Sequence, residues 1–477
     1  MHMLRNASQG VIRVSDNNPH YYQYKGKEIL LITSAEIYGA VVNNRFDYRK
    51  YFDTLHKYKL NYTRIYTGAF LEKTGMSIGE NNLAPGPDTI VPWARSETPG
   101  YIGGGNKFDI DKWDEEYFKR LKEFIAYAAQ KDIFVEVCFF NAQYPESFDY
   151  SPLYKDANIQ GVGDCDPLTF QYMDHDVQLF NEQLRYVEKI IEETNEFDNI
   201  IYEFIDEPTL YKCNALKIYN WISALIDKAI EVEDRLPKKH MLAQQLEFGV
   251  SFADDDRVAV TVVQYIEGLA RQVGGTLALN NVYCFDKPIE LNETAVLPDW
   301  FECDPVIASR LEAWEFMVGG GAAFNQLNGY FNVRDPEGTD ETNYRILDGL
   351  VKLRTFMESL DYTGMTRDVD TVRKVTGHAN INMISEKGKQ YVMYIHHGSL
   401  NYGSIYRSHY VPDIGRFSPV VTMDIPEGEY EVTFIEPATL SVIETQTITC
   451  KNEKTDLACP VYETDIAIKI TNNTCKG

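Results

Sequence analysis

Two glutamates follow short apolar segments, at positions where a buried strand would end. Glu207 closes the segment IIYEFIDE, and Pro208 then ends the strand because proline has no backbone N–H to donate. Glu293 stands at the end of the segment PIELNE. Cleavage of a glycosidic bond needs one protonated carboxyl group for the leaving oxygen and one ionised carboxylate at the anomeric carbon. The two glutamates suit that chemistry if the fold brings them together.

The elements that must position these residues lie between 22 and 365. Eight apolar or β-branched segments predict strands, at 28–34, 61–66, 133–140, 199–205, 239–244, 257–263, 288–292 and 322–327. Helical periodicity predicts helices over 48–58, 115–130, 177–194, 214–232, 307–318 and 346–359. This alternation predicts an α/β chain folded as a (β/α)8 TIM barrel, with Glu207 and Glu293 at the carboxyl ends of strands four and seven. A doubly wound sheet is the alternative, but no GxGxxG turn follows the first strand.

Other acidic residues compete for the same roles. Glu290 precedes Glu293 in mid-strand, and Glu203 precedes Glu207. Both faces of a barrel strand are buried, so side-chain alternation alone cannot choose between them. Position at the strand end favours Glu293 as the reacting group, and Glu203 is interpreted as a supporting carboxylate. Glu36 and Tyr38 follow the first strand and are expected to line the mouth of the barrel.

Three regions are predicted: an N-terminal extension over 1–21, a catalytic barrel over 22–365 and an antiparallel β-sandwich over 366–477. The last region shows period-two alternation with Gly, Pro and Asn turns. No Gly/Ser/Pro-rich linker precedes it, so we expect it to pack on the barrel as a structural domain. A carbohydrate-binding module is the alternative. The segment 68–109 is predicted to be a long loop without regular structure at the mouth of the barrel.

Composition excludes several partners. The 477 residues carry a formal net charge of −25, which argues against binding to nucleic acid or to an anionic membrane. No apolar run is long enough to span a bilayer. No paired His or Cys spacing predicts a metal site, and no cofactor is expected. No apolar leader segment stands at the N-terminus, so we expect either a cytoplasmic protein or a secreted one whose leader has been removed.

The sequence resembles the clan A glycoside hydrolases, and most closely the cellulase-like, family 5-like members that carry a trailing β-sandwich. The motifs that resemble the family are IDEP at strand four, NE at strand seven, LNYTRIY at strand two and VVQYI at strand six. The resemblance implies Glu207 as acid/base and Glu293 as nucleophile. It further implies that Arg64 bonds the nucleophile and keeps it ionised, and that Tyr265 contacts the nucleophile.

The sequence departs from the family pattern at four places. Asp206 replaces the asparagine that precedes the acid/base, and its charge is expected to act on Glu207. Asn141 is the polar residue nearest to a missing strand-three histidine, and Gln264 occupies a strand-six position often held by histidine. Trp300, in the loop after strand seven, could replace a missing strand-eight tryptophan.

The resemblance implies a retaining glycoside hydrolase that cleaves β-glycosidic bonds in a neutral plant-wall glucan or a related oligosaccharide. Retention requires the two carboxyl groups to lie about 5 Å apart. Two alternatives stay open: a non-catalytic carbohydrate-binding protein on a barrel scaffold, and a transglycosylase. In all three cases the expected partner is an oligo- or polysaccharide.

Overall fold

A computed structural model describes residues 4–76, 81–211, 214–247, 249–264, 275–296, 303–400, 410–451 and 454–475. Eight parallel strands form one sheet that curves into a barrel, and each coincides with a predicted strand. They are β1 (Leu31–Ala35), β2 (Tyr62–Tyr66), β3 (Phe134–Asn141), β4 (Ile200–Asp206), β5 (Leu242–Leu246), β6 (Val260–Val263), β7 (Ile289–Val296) and β8 (Ala323–Asn328). The predicted barrel is therefore confirmed, and the doubly wound alternative is excluded.

The side chain of Asn61 closes the seam between β1 and β2. Its Oδ1 accepts the backbone N–H of Ile32 at 3.0 Å, and its Nδ2 donates to the carbonyl of Leu30 at 2.9 Å. The other neighbouring strands are joined by ordinary parallel ladders, in the order β1-β8-β7-β6-β5-β4-β3-β2. The amide side chain thus adds to the backbone bond from the N–H of Asn61 to the carbonyl of Ile32, at 3.3 Å, where no regular ladder joins β1 to β2.

Seven helices surround the described part of the barrel. They are α1 (Tyr48–Lys57), α2 (Glu115–Gln130), α3 (Val177–Thr194), α4 (Ala215–Glu233), α5 (Gly275–Val282), α6 (Pro305–Val318) and α7 (Glu341–Glu358). All but α5 begin after an Asp or Asn whose side-chain oxygen accepts a backbone N–H of the first turn. Helix α5 was not predicted, since its short sequence GTLALNNV shows neither such a cap nor a clear apolar face.

The N-terminal segment plugs the amino end of the barrel. It forms a small antiparallel sheet from Arg13–Val14, Tyr22–Tyr24 and Lys27–Ile29. Ile12, Val14 and Tyr22 are buried in one apolar cluster with barrel residues that include Ala243 and Val262. Because this end is filled, the opposite end, where the strands have their carboxyl termini, is the one available to a ligand.

The prediction that 68–109 lacks regular structure is wrong. Strands Trp93–Pro99 and Asn106–Trp113 pair as an antiparallel hairpin. The connecting turn contains Gly100, Gly104 and Gly105, all with positive φ, a conformation that glycine adopts without steric penalty. The hairpin escaped prediction because its strands are largely polar and partly exposed, so they lack the apolar alternation that marks a buried strand.

The C-terminal region is a β-sandwich, as predicted. Its larger sheet contains Thr366–Arg367, Asn380–Glu386, Gln390–His396, Asp465–Asn472, Gly428–Ile435 and Val442–Cys450 in that order, and its second sheet contains Val372–Val375, Val420–Asp424 and Lys454–Ala458. Short pairs join Ser399–Leu400 to Tyr410–Val411 and Arg416–Phe417 to Tyr462–Glu463. The core between the sheets is apolar, with Met393, Val432 and Ile468 among its buried side chains.

Helix α6 joins the sandwich to the barrel through buried polar contacts. Arg310 donates from Nε and Nη2 to the two carboxylate oxygens of Asp465, at 3.0 and 2.8 Å. His396 and Glu315 are hydrogen-bonded at 2.7 Å. These contacts agree with the expectation that the sandwich packs on the barrel. None of the helices in the described ranges combines the length and the apolar composition that crossing a bilayer requires.

Candidate active site

Glu207 and Glu293 both lie at the carboxyl end of the barrel. Glu207 directly follows β4 and adopts a left-handed backbone conformation with φ of +49°. Its backbone N–H donates to Oε1 of Gln245 at 2.7 Å, a bond from the neighbouring strand β5 that helps to hold this unfavourable conformation. Tyr144, in the loop after β3, donates its hydroxyl to Oε2 of Glu207 at 2.5 Å. The backbone and the carboxylate of Glu207 are thus each fixed by a different strand end.

A bulge in β7 directs two successive side chains into the barrel. The pairing with β8 shifts between Leu291 and Thr294. As a result Asn292 contacts buried groups of β3, β4 and β6, while the next residue, Glu293, contacts Arg64 on β2. Successive residues of a regular strand would point in opposite directions, so the bulge is what places Glu293 at the mouth above Asn292.

Arg64 is a fully buried cation with three carboxyl groups in close contact and a fourth, Glu136, at 3.8 Å. Its Nε and Nη2 donate to the two oxygens of Glu203 at 2.7 and 2.8 Å. Its Nη1 donates to Oε2 of Glu293 at 3.2 Å, and its Nη2 lies 3.0 Å from Oδ1 of Asp206. One guanidinium is thus shared among several carboxyl groups, and burial together with their mutual repulsion disfavours ionisation of all of them at once; burial also raises the pKa of Glu203 to about 8.

Asp206 is buried and enclosed by protein donors. Tyr66 donates its hydroxyl to Oδ2, and Gln264 donates from Nε2 to Oδ1 at 2.7 Å. With Arg64 on the same side, both carboxylate oxygens are engaged by β2 and β6. The expectation that Asp206 acts mainly on Glu207 is therefore incomplete, since its carboxylate shares the Arg64 guanidinium with Glu293.

The pKa of Glu293 lies well above its usual range. Burial is the largest cause, and the neighbouring Asp206 and Glu207 carboxylates raise it further. The Arg64 guanidinium and a hydrogen bond from Tyr38 act in the opposite direction but do not cancel the rise. Arg64 therefore acts on the pKa of Glu293 in the direction that the sequence predicted, while burial and the neighbouring carboxylates act in the opposite direction.

Tyr38 and Glu36, which both follow β1, take different positions relative to the site. The ring of Tyr38 lies 4.8 Å from the Arg64 guanidinium carbon, and its hydroxyl contacts the carbonyl of Asn292 at 3.3 Å. Glu36 faces away from this cluster: its carboxylate accepts the backbone N–H of Ala40 at 2.9 Å and the Nδ2 of Asn82 at 2.7 Å. Burial raises the pKa of Glu36 to about 7. Tyr38 is therefore part of the site, whereas Glu36 fixes the loop behind it and does not line the mouth.

The structure describes two of the four remaining predicted site residues. Gln264 links Asp206 to Asn292 through its Nε2. Asn141 ends β3 beside Asp206 in the ladder, and no protein group in the described ranges reaches its buried Oδ1. Tyr265 and Trp300 lie outside the described residues.

Sequence reasoning missed four residues of the site. Tyr66, Tyr144, Gln245 and Asn292 hold the carboxylates in place. Tyr66 could have been found, because it lies two residues after Arg64 and so on the same face of β2. Tyr144 and Gln245 carry no local signal, since their role depends on which strand ends meet. In the described portion of the chain, no group of three or more His, Cys, Asp or Glu side chains is arranged to hold a metal ion.

Comparison with known proteins shows that this chain shares its fold with solved structures. No protein-family model matches the sequence, and no curated protein is similar to it. A solved structure of a glycoside hydrolase of family 5 from Bacteroides vulgatus aligns with a TM-score of 0.64 at 11% identity, covering 98% of this chain and 94% of its own. A second glycoside hydrolase aligns with a TM-score of 0.63 at 9% identity, covering 98% of each chain.

A further enzyme structure aligns with a smaller share of the chain. The endo-1,4-beta-mannanase of Rhizomucor miehei aligns with a TM-score of 0.52 at 11% identity, covering 72% of this chain and 99% of its own. The likeness to clan A glycoside hydrolases that the sequence indicated is therefore confirmed in three dimensions, for the barrel and the sandwich together. At these identities the likeness establishes the shared fold, and the chemistry has to be argued from the residues.

Proposed function

We propose that this chain is a retaining glycoside hydrolase acting on β-glycosidic bonds, with Glu207 as acid/base and Glu293 as nucleophile. The observation that carries the proposal is the different environment of the two carboxylates at the carboxyl ends of β4 and β7. Arg64 contacts Glu293 at 3.2 Å, while Tyr144 and Gln245 hold Glu207. Two carboxyl groups that differ in their partners are what a double displacement requires.

In the first step Glu207 gives its proton to the glycosidic oxygen while an oxygen of Glu293 attacks the anomeric carbon. The bond between that carbon and the leaving oxygen breaks, and a glycosyl ester of Glu293 forms. In the second step Glu207, now ionised, takes a proton from water. The resulting hydroxide attacks the anomeric carbon and releases Glu293 as a carboxylate, so that atoms and charge balance over the cycle.

The other residues support these steps. Arg64 stabilises the Glu293 carboxylate both before attack and as it is released. Asn141 Oδ1 and Gln264 Oε1 are buried and reached by no donor within the described residues, so they are suited to accept sugar hydroxyls. Tyr265 and Trp300 are proposed as further sugar contacts on the strength of the resemblance alone.

The proposed substrate is a neutral β-glucan of plant walls or a related oligosaccharide. The net charge of −25 and the excess of carboxylates around Arg64 disfavour polyuronates. Because a mannanase shares the barrel, β-mannans belong in the same screen. One observation favours a second candidate, a sugar-binding protein without turnover: Asp206 brings an additional negative charge that raises the pKa of Glu293, the group that must ionise.

Turnover of aryl β-glycosides tests the proposal. Glu207→Gln and Glu293→Gln should each lower kcat/KM by at least about a thousandfold, since each removes a reacting group. Glu182→Gln is the matched control, because this buried glutamate bonds Trp93 on the outer side of the barrel. If the two site variants retain wild-type activity, these assignments are wrong; saturable sugar binding without turnover would favour the binding protein.

The stereochemical outcome tests retention separately. Proton NMR of the first sugar released from a β-glycoside should show the β-anomer before mutarotation. Release of the α-anomer would show inversion, and Glu293 would then act as a general base on water.

A further inference from the structure

Arg367 is a partly buried cation at the junction of the barrel and the sandwich. Its Nη1 donates to the carbonyl of Gly319 at 2.9 Å, and its Nη2 donates to Oδ1 of Asn280, on α5, at 2.8 Å. Its Nε is shielded from water, and no acceptor within the described ranges reaches it. The partners of this cation there are therefore neutral, and one of its N–H groups is left without a hydrogen bond.

Two other arginines use the same edge of the guanidinium to hold a carboxylate. Nε and Nη2 of Arg64 donate to the two oxygens of Glu203, and Nε and Nη2 of Arg310 donate to those of Asp465. The two N–H bonds on this edge are parallel and match the spacing of carboxylate oxygens. In Arg367 the equivalent edge faces no carboxylate of the described chain, and only Asn280 bonds to it.

The pKa values of the three arginines reflect this difference. Burial lowers the pKa of each, but the neighbouring carboxylates more than reverse the effect in Arg64 and Arg310. In Arg367 the nearby Tyr283 and Glu315 offset only part of the effect of burial, and the pKa stays below its usual range. A negative group placed against Nε would thus be bound favourably.

Asn382, on the sandwich strand Asn380–Glu386, supplies a second unpaired donor. The residue is 2% exposed. Its Oδ1 lies 3.0 Å from Oγ1 of Thr276 and 3.4 Å from Nη1 of Arg367, and the cationic donor identifies this end of the amide as the oxygen. Its Nδ2 is buried, and the described residues provide no acceptor for it. Buried donors without partners are unfavourable, so an acceptor from outside the chain would satisfy both residues at once.

Both residues line a cleft of about 460 Å³ between α5 and the sandwich. Four of its apolar side chains are partly buried and pack against the sandwich core: Val372, Val375, Ala379 and Ile381. The cleft thus combines an apolar wall with a few polar donors, the composition typical of sites for small molecules.

The charged side chains of the cleft favour an anion. Three are cations and one is acidic: Arg367, Arg373, Lys374 and Asp368. The Asp368 carboxylate is already engaged, since it accepts the hydroxyl groups of Ser385 at 2.6 Å and Thr371 at 2.7 Å. In a chain with a net charge of −25, a cleft with more cations than acids is a local exception that would attract a negative ligand.

We propose that this cleft binds a small carboxylic acid with an apolar body, held by the Nε and Nη2 edge of Arg367 and by Nδ2 of Asn382. The carboxylate displaces the exposed Asn280 side chain from Nη2, and the apolar body lies along the wall formed by the valine and isoleucine side chains. Sugar acids share the carboxylate but lack the apolar body. The cleft contains no residue of the candidate active site, so the proposal does not depend on the proposed hydrolysis.

Isothermal titration calorimetry of the full chain with 3-phenylpropanoate at pH 7, in the absence of any glycoside, tests the proposal. We expect one saturable site. The uncharged 3-phenylpropanamide and the polar glucuronate should each bind at least about tenfold more weakly, because one lacks the charge and the other lacks the apolar body. Absence of saturable binding by 3-phenylpropanoate overturns the proposal, and so does binding of the amide or of glucuronate with equal affinity.

Variants locate the site. Asn382→Asp keeps the shape of the side chain but places a negative charge beside the ligand carboxylate, and Arg367→Lys keeps the charge but lacks the two-pronged edge; each should raise Kd at least about tenfold. Asn280→Ala removes the side chain that the ligand displaces and should lower Kd. Arg257→Gln is the control, since the Nε and Nη2 edge of Arg257 already holds Asp255, and its Kd should match that of the wild type. Wild-type affinity in Asn382→Asp, which is close in shape to the native residue, overturns the assignment even if Arg367→Lys does not fold.

Discussion

Two arginines of this molecule, one fully buried and one largely buried, meet carboxylates in opposite ways. Arg310, between barrel and sandwich, forms a two-pronged contact with a single carboxylate, Asp465, which also accepts the hydroxyl of Tyr394 at 2.9 Å. Charge is balanced there, and each carboxylate oxygen has a donor. Arg64, inside the barrel, is shared among Glu203, Asp206 and Glu293. The first arrangement joins two domains, while the second places more carboxyl groups than cations in the barrel interior.

The difference between the Arg310 pair and the Arg64 cluster shows that the molecule tolerates unbalanced buried carboxyl groups at the barrel mouth. A balanced buried pair with satisfied hydrogen bonds is a structural contact, whose loss exposes an uncompensated charge. In the unbalanced cluster, burial and then the neighbouring carboxylates raise the pKa of Glu293, which makes this group easy to protonate and reactive when ionised. That property has no structural benefit, which is why the Arg64 cluster is assigned to chemistry and the Arg310 pair is not.

The largest expected effect separates the two arginines. Arg64→Met removes the only cation that contacts Glu293 in the described structure, and kcat/KM should fall by about a hundred- to a thousandfold, as for loss of a preorganised donor at a reacting group. Arg310→Met should leave kcat/KM of the folded protein within about threefold of wild type. Steady-state kinetics on an aryl β-glycoside checks both, and equal losses would mean that the two sites do not differ as argued.

Loss of the contact between barrel and sandwich should lower the stability of the protein. Asp465→Asn leaves Arg310 buried without its counter-charge and should lower the free energy of unfolding by about 3 kcal/mol. The pH limbs of kcat/KM should not move, because the pair is remote from the strand ends. Urea denaturation followed by circular dichroism, with Asp424→Asn at an exposed ion pair as control, measures the loss. A stability loss no greater than that of the control would show that the domain contact is not stabilising.

Removal of the Asp206 charge from the active-site cluster should shift the pH dependence of kcat/KM. Asp206→Asn keeps the shape of the side chain but removes one of the charges that raise the pKa of Glu293. The acidic limb of kcat/KM should therefore move to lower pH, by about one unit. Movement of the basic limb alone would instead tie Asp206 to Glu207, as the sequence had suggested.

A last effect, on stability alone, concerns a buried carboxyl group that contacts neither arginine. Burial raises the pKa of Glu312 to about 8. A group whose pKa is raised on folding contributes its full stability below the unfolded pKa of about 4.3, and that contribution is lost as pH rises toward 8. Glu312→Gln should therefore gain stability relative to wild type by up to about 1.4 kcal/mol per pH unit over this window. Denaturant melts at pH 5, 6 and 7 check the slope, and a gap that stays constant would show that Glu312 is ionised throughout.

The barrel could be predicted from the sequence because its strands are buried on both faces. The runs at 133–140 and 199–205 are mostly apolar and too short for helices, so their length and composition were enough to predict strands. The hairpin within 68–109 could not be found in this way, because polar, partly exposed strands leave no such pattern. The two glutamates were found because a strand that ends in an acid is a local signal.

The rest of the site depends on which strand ends meet. The bulge in β7 places Asn292 and Glu293 both inside the barrel, whereas simple alternation would separate them. Tyr144 and Gln245 reach Glu207 from different strands, and only the closed barrel brings them there. The same holds for Asp206, whose neighbours in space are Arg64, Tyr66 and Gln264 rather than its neighbours in sequence.

Covalent trapping of the proposed intermediate tests the central assignment most directly. The chain would be incubated with a 2-deoxy-2-fluoro-β-glycoside bearing an activated leaving group, in the gluco and manno forms, and then analysed by intact mass and peptide mapping. We predict a mass increase of one fluoroglycosyl group, located on Glu293 and absent from Glu293→Gln. Turnover of the parent glycoside without an adduct, or an adduct on Glu290 or Glu203, would contradict the assignment of Glu293 as the nucleophile.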